Sequence, residues 1–482
     1  MAQRLLNHSA ALLLAACLAS PFVGAETLPA SAADEATAAL LRERAMADSG
    51  AYKIVESLTT EVGARPAGSD ADARAVAWAV AKFRALGYDK VYTEPVKFTA
   101  WRRLSESAEV IAPITQRVAV TALGNSVGTD GPLDAGIVRF QDFEALQSAP
   151  AESVRGRIVL LTRRMERHRD GSGYARVLQM RSSAASLAAT KGAVALLIRS
   201  LGTDDNRLPH TGSVNYAPEN AIPAAAISGP DADLLERLGQ RYPSVRLRLN
   251  IATQTQTDST SYNVIGEITG QDAKREIVMM SAHLDSWDLG TGAVDDGFGV
   301  ALTMAAGALI KQLPQAPRRT IRVVLFANEE NGFDGARAYA ERDAGDLSRH
   351  YLAIESDWGA GPIYALRHPP QDAELTARLS RVLAPLGITL DGAAGAPGPD
   401  LGFLAKRGVP WIQLAQDATD LFDHHHSAND TLDKIDPASL NQNVAAYAAF
   451  AWLAANLPEG GKPVGPFTQT LVPAGAVAVF PR

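Results

Sequence analysis

The stretch Ile277-Val278-Met279-Met280-Ser281-Ala282-His283-Leu284-Asp285 is a nearly unbroken apolar run that stops on an imidazole and a carboxylate. Short apolar runs of this kind read as strands buried on both faces, the pattern of a sheet covered by helices. Downstream the texture alternates: helix Val300 to Gln312, strand Ile321 to Ala327, strand Tyr351 to Ser356, strand Trp411 to Ala415 and helix Ala438 to Leu457. This βαβ series predicts an α/β protein with a mixed central sheet flanked by helices. Ligands of such sheets gather at the carboxyl ends of the strands, and His283 and Asp285 fall at one.

Upstream, Ala73, Val76, Val80, Phe83 and Leu86 recur at helical spacing until Gly87 stops them, and Val91 to Ala100 is extended. Between Gln116 and Gln256 the pattern changes. Short apolar strands (Val118 to Leu123, Ile158 to Thr162, Val194 to Ile198, Ile222 to Ile227, Val245 to Ile251) accompany one helix-like stretch, Tyr174 to Lys191, and strand character restarts at Tyr262 to Gly266. A chain of 482 residues exceeds one ordinary core. The expected organisation is a first part of the main domain at 35–115, an inserted α/β domain at 116–256, a second part at 257–460, and a Pro-, Gly- and Val-rich surface tail at 461–482.

The 46 basic and 53 acidic side chains leave a net charge of −7 with no basic stripe, which argues against a nucleic-acid partner. Residues 1–25 read as a signal peptide: Arg4 precedes the apolar run Ala10 to Cys17, and Val23-Gly24-Ala25 supplies a cleavage pattern. Export to the periplasm or the outside is therefore expected, with a lipid anchor on Cys17 as the alternative that Leu14-Ala15-Ala16-Cys17 suggests. No later stretch approaches the roughly 20 apolar residues that cross a bilayer. Cys17 is the only cysteine. Removal of the leader leaves no disulfide or catalytic thiol, so any metal must sit on histidines and carboxylates.

The chemistry-bearing residues cluster in the alternating segment. His283 and Asp285 share one side of an extended strand, a spacing at which Asp285 can orient a metal-bound His283. Asp295 and Asp296 open a helix, where N-capping accounts for a turn carboxylate equally well. Glu329 and Glu330 follow an apolar strand. Adjacent acids there suggest one metal ligand beside one general base, although a solvated loop has the same composition. Asp357 lies just beyond Tyr351 to Ser356, and His424, His425 and His426 occupy a loop past Trp411 to Ala415. Together these residues supply nitrogen and oxygen donors of the kind suited to zinc near strand ends.

With these motifs the chain resembles the two-zinc metallopeptidases that include bacterial leucyl aminopeptidases, glutamate carboxypeptidase and carboxypeptidase Q. Leu197-Ile198-Arg199-Ser200 and Pro209-His210-Thr211-Gly212 carry a likeness to the carboxypeptidase Q subfamily, and the insert resembles a protease-associated domain. The resemblance implies two Zn²⁺ per chain: one on His283 and Asp357, the other on Glu330 and His426, with Asp295 bridging. It implies Glu329 as general base, Asp285 as support for His283, and a cis peptide between Asp295 and Asp296. His426 is assigned among the three histidines by the pattern His, Ser, two residues, Asp430, Thr431. Val294 stands where some relatives carry another acid.

The implied activity is hydrolysis of dipeptides or short peptides with a free amino terminus, through a water shared and acidified by the two metals. Carboxypeptidase action on longer peptides and a zinc glutaminyl cyclase chemistry are the alternatives. The insert is expected to wall the substrate cleft or to build a homodimer interface, with His210 a candidate substrate contact.

Overall fold

The computed structural model describes residues 30–272, 276–342, 344–367, 370 and 372–458. The leader with Cys17, and the segment 461–482, lie outside the described residues. The strands are β1 (Lys90–Ala112), β2 (Gln116–Val118), β3 (Val120–Ala122), β4 (Leu133–Phe140), β5 (Ile158–Leu161), β6 (Ala195–Arg199), β7 (Ala224–Ile227), β8 (Arg246–Ile268), β9 (Ile277–His283), β10 (Thr320–Phe326), β11 (His350–Glu355), β12 (Ile363–Arg367), β13 (Thr389–Leu390) and β14 (Gln413–Gln416).

β9, β10 and β11 are parallel neighbours in the order β11-β9-β10, and every residue of the three is buried. That explains why they read as continuous apolar runs rather than alternating ones. Helix Phe298–Lys311, buried from Phe298 through Ile310, and helix Pro437–Asn456 cover this sheet region. The second is started by Pro437 and by Asp436, whose carboxylate accepts from the amides of Ala438 and Ser439. Each large apolar side chain buried here contributes about 1.5–3 kcal/mol of transfer free energy. Ala293–Lys311 also has the length and hydropathy of a spanning segment, which the sequence reading missed, but its apolar window is buried inside the protein.

Strands β1 and β8, 23 residues each, pair antiparallel from Lys90 opposite Glu267 to Ala112 opposite Arg246. The two ends of this ribbon serve different layers. The carboxyl half of β8 pairs with β10, while Leu247 and Leu249 in its amino half pair with β4, which leads through parallel β5, β6 and β7 to antiparallel β3. Val245 to Ile251 and Tyr262 to Gly266, expected as two strands, therefore belong to one. The polar run Thr253 to Asp258 between them has partly or fully solvent-exposed side chains and so no apolar pattern, yet a two-stranded ribbon satisfies its backbone without a core.

Two further expectations change. The helix-like stretch Tyr174 to Lys191 is broken into Ser172–Ala175, Leu178–Ser182 and Ala184–Thr190. Ser183, at φ −130°, interrupts it, and its hydroxyl meets that of Ser182 at 3.2 Å. The strand expected at Trp411 to Ala415 lies outside the main sheet. It forms β14 in a small sheet of order β13-β12-β14, next to β11 through the Ala353–Trp411 bridge.

Candidate metal centre

The parallel strands deliver the first half of the centre. His283 ends β9, with Nε2 3.0 Å from Asp295 Oδ1 and 3.6 Å from Asp357 Oδ1. Its other nitrogen, Nδ1, is 3.0 Å from the backbone carbonyl of Asp285 and 3.8 Å from that residue's carboxylate. The ring is thus oriented by main chain. The Asp285 carboxylate instead accepts the amides of Glu329 at 3.0 Å and Glu330 at 3.4 Å, fixing the acid pair that follows β10. Asn328 adopts the left-handed region at φ 55°, which Asn tolerates well, and turns the chain out of the strand.

Asp295 and Asp296, joined by a cis peptide, divide the two roles that the sequence left open. Asp296 is the structural acid: its carboxylate accepts the amides of His283 at 3.1 Å and Gly299 at 3.0 Å. A Cβ at Gly299 would lie 2.4 Å from that carboxylate, so glycine is required there. Asp295 faces the centre. Its Oδ1 meets His283, and its Oδ2 lies 3.2 Å from His426 Nε2. Glu330 Oε2 is 3.1 Å from the same His426 nitrogen, while Glu330 Oε1 is buried without a hydrogen-bond partner.

The second half is held by the loop that carries His210 and Thr211. His426, at φ 60°, adopts the left-handed region, uncommon for residues other than glycine. Its carbonyl accepts the Thr211 amide at 2.9 Å, and its Nδ1 lies 3.3 Å from the Thr211 carbonyl. His210 is buried, with Nδ1 2.6 Å from the His425 carbonyl and Nε2 2.6 Å from Asp204. Both of its nitrogens are engaged, so His210 braces the histidine loop and is not the substrate contact expected from sequence.

Three residues near the centre have roles that the sequence reading did not assign. His425 stacks on His426 with ring centroids 3.5 Å apart and approaches Asp295 Oδ2 at 3.6 Å. Asp430 accepts the Val294 amide at 2.6 Å and the Asp295 amide at 3.2 Å; burial and then the Asp295 charge push its carboxyl up to about 7. Arg65, fully buried, donates to the carbonyls of Leu284, Thr291 and Gly292 and so ties the His283 strand end to the Asp295 turn. His425 and Asp430 carried a signal, through the run of three histidines and its motif, and Arg65 carried none. Arg65 makes contacts about 220 residues away, which no local pattern records.

The electrostatics suit a cation. Burial, reinforced by neighbouring acids, holds the carboxyls of Glu329, Glu330 and Asp296 well above their usual range and raises Asp357. Burial disfavours a charged His283, but Asp285, Asp295 and Asp357 outweigh it and hold the imidazole far above normal. A field that traps protons this strongly binds divalent cations by the same attraction. Donor atoms of His283, Asp295 and Glu330 converge within 4.8 Å of one another, as do those of His283, Asp296 and Asp357 and those of Asp295, His425 and His426. Imidazole nitrogens, carboxylate oxygens and the unpartnered Glu330 Oε1 make a donor set that fits zinc.

Comparison with known proteins agrees with this geometry. The model of Peptidase family M28 matches residues 263–451. Carboxypeptidase Q of Mus musculus is 33% identical over 85% of this chain and 86% of its own length, and that of Homo sapiens is 33% identical over 86% and 87%. A crystal structure of a peptidase M28 precursor from Shewanella amazonensis SB2B superposes with a TM-score of 0.88 at 47% identity, covering 90% of this chain and all of that one. BSAP, a zinc aminopeptidase from Bacillus subtilis, shares the fold at 20% identity with a TM-score of 0.62, covering 86% and 96%. The chain belongs to peptidase family M28.

Proposed function

We propose that this protein is an exported zinc exopeptidase that hydrolyses dipeptides and short peptides bearing a free amino terminus. The observation that carries the reading is the Asp295 carboxylate, which presents one oxygen to His283 and the other to His426. That placement suits a bridge between two metal positions. His283 and Asp357 would hold one zinc and Glu330 and His426 the other, with Asp295 shared. Zinc, when bound, polarises the scissile carbonyl and acidifies water. The names of carboxypeptidase Q and of the Bacillus subtilis zinc aminopeptidase support exopeptidase chemistry.

Glu329 is the proton carrier. It accepts a proton from the attacking water and delivers it to the nitrogen of the leaving amine. Asp285, by accepting the amides of Glu329 and Glu330, keeps the two acids in distinct orientations. The carboxylates Asp285, Asp295, Asp296, Glu329, Glu330 and Asp357 carry more negative charge than two divalent ions neutralise, and the remaining field attracts a substrate ammonium group. Purified protein should bind about two zinc ions per chain and cleave free dipeptides well and their acetylated forms poorly. Full activity in chelator-treated, metal-free protein would refute the metal reading. Preferential cleavage of acetylated dipeptides would refute the amino-terminal one.

A further inference from the structure

Arg103 touches the supports of both histidines at once. It lies in β1 where the pairing with β8 slips between Arg103 and Ser105, and Leu104 at the slip points into solvent. A bulge of this kind re-aims its neighbours, and the Arg103 side chain turns inward until it is 8% exposed. All three guanidinium nitrogens are engaged there. Nε and Nη2 form a two-pronged pair with the Asp288 carboxylate at 2.9 and 3.1 Å. Nη2 also donates to Thr211 Oγ1 at 3.2 Å, while Nη1 donates to the Ala122 carbonyl at 2.6 Å, to Glu106 at 2.9 Å and to the Thr121 hydroxyl. What lies beside these partners gives them their importance. Thr211 supplies the carbonyl that faces His426 Nδ1. Asp288 stands three residues past Asp285, whose carbonyl orients His283. Between them Trp287 packs edge-on to Trp101, with its ring 5.7 Å from that of His426.

We infer that Arg103 is a positioning residue that holds the two orienting carbonyls in one frame, so that its loss loosens both metal positions together. A guanidinium is suited to this because its rigid planar fork donates in several directions at once, whereas a lysine ammonium is a point charge on a flexible stem. Thr211 has little freedom apart from this contact, since its hydroxyl also donates to the Ala122 carbonyl at 2.9 Å, an atom that Arg103 holds as well. The fork therefore ties β1, the chain around Ala122, the loop after β9 and the support of His426 into one unit. The inference rests on the two-zinc reading and adds to it a residue far from every ligand in sequence, 185 residues from Asp288 and 108 from Thr211.

The test is stepwise zinc titration of metal-free protein against a competing chelator, with the cobalt spectrum and the melting temperature read on the same samples. Arg103→Met keeps the apolar stem and should weaken both binding steps by roughly 10- to 100-fold, the scale for groups that orient ligands indirectly. Thr211→Val and Asp288→Asn each remove one arm of the fork, so each should weaken one step, by roughly threefold to tenfold, the scale of one neutral hydrogen bond. Added to Arg103→Met, either change should cost less than it does alone, because the bond it removes is already gone. A lower melting temperature with both affinities and the cobalt spectrum unchanged would overturn the inference and leave Arg103 a residue of the fold alone. Full additivity would overturn it as well, and recovery of both steps by Arg103→Lys would replace the fork by simple charge. Should Arg103→Met fail to fold, Thr211→Val and Asp288→Asn decide, and unchanged metal binding in both would overturn it. A wild type that takes up no zinc would instead sink the metal reading itself.

Discussion

The two histidines of the centre are held in opposite ways. His283 is the last residue of a buried parallel strand, with its amide fixed by Asp296 and its Nδ1 by a carbonyl two residues on. His426 lies in a loop, in a left-handed conformation, and is held through Thr211, 215 residues away in sequence. The first half is built by parallel strand ends, and the second is held by a contact with a loop distant in sequence. It follows that the halves should fail separately, and that the residue between them should disable both.

Asp295 is that residue. Replacing it by Ala removes the oxygen facing each histidine while leaving Asp296 to cap the helix. Turnover should fall by roughly 10³-fold or more, the scale of several kcal/mol of lost charge stabilisation, and metal content measured by atomic emission should drop at both positions. Retention of one full equivalent would show that the halves do not share this carboxylate. The adjacent acids should then separate chemistry from metal. Glu329→Gln keeps its shape and loses its proton acceptor, so kcat should fall by roughly 10²-fold or more with metal retained. Glu330→Gln should instead weaken the metal on the His426 side. The opposite pairing of outcomes would exchange their roles.

The same contrast explains how much was legible beforehand. His283, Glu329, Glu330 and Asp357 are readable because continuous apolar strands announce a buried parallel sheet, and sheets of this kind expose chemistry at their carboxyl ends. Which histidine of 424–426 faces Asp295 needed the spacing to Asp430 and the family pattern, since all three share one loop. The support of His426 by Thr211 and of the His425 carbonyl by His210, and the clamp made by Arg65, are tertiary contacts between distant segments and leave no periodic trace. The ribbon β1–β8 misled for a related reason. Its solvated middle has a turn-like composition, while its continuity is set by pairing across some 160 residues.

The bracing of the histidine loop can be loosened with less damage. Asp204→Asn weakens the anchor on His210 and thereby the carbonyl contact to His425. Metal affinity on the His426 side should decline roughly 10- to 100-fold, as for other groups that orient a ligand indirectly, with the His283 side unaffected. Sequential titration with a chelator, followed by cobalt reconstitution and its visible spectrum, would resolve the two. Equal weakening of both sides would mean that the insert supports the whole centre.

The smallest effect is expected at Asp285, where two accounts of one residue diverge. Were its carboxylate the hydrogen-bond partner of His283, Asp285→Asn would cost 10- to 100-fold in metal affinity on that side. The geometry gives that contact to the Asp285 backbone carbonyl, which the substitution leaves in place, and puts the carboxylate 3.8 Å from Nδ1. The carboxylate's close partners are the amides of Glu329 at 3.0 Å and Glu330 at 3.4 Å. Asn keeps one acceptor oxygen for the shorter bond and turns a donor toward the longer one, a loss of about 1 kcal/mol. The loss falls on the acid pair rather than on His283. Asp285→Asn should therefore keep its metal on the His283 side and lose roughly threefold to tenfold in kcat through a less well-oriented Glu329. A large fall in metal affinity with kcat preserved in the reloaded enzyme would restore the carboxylate as the partner of His283.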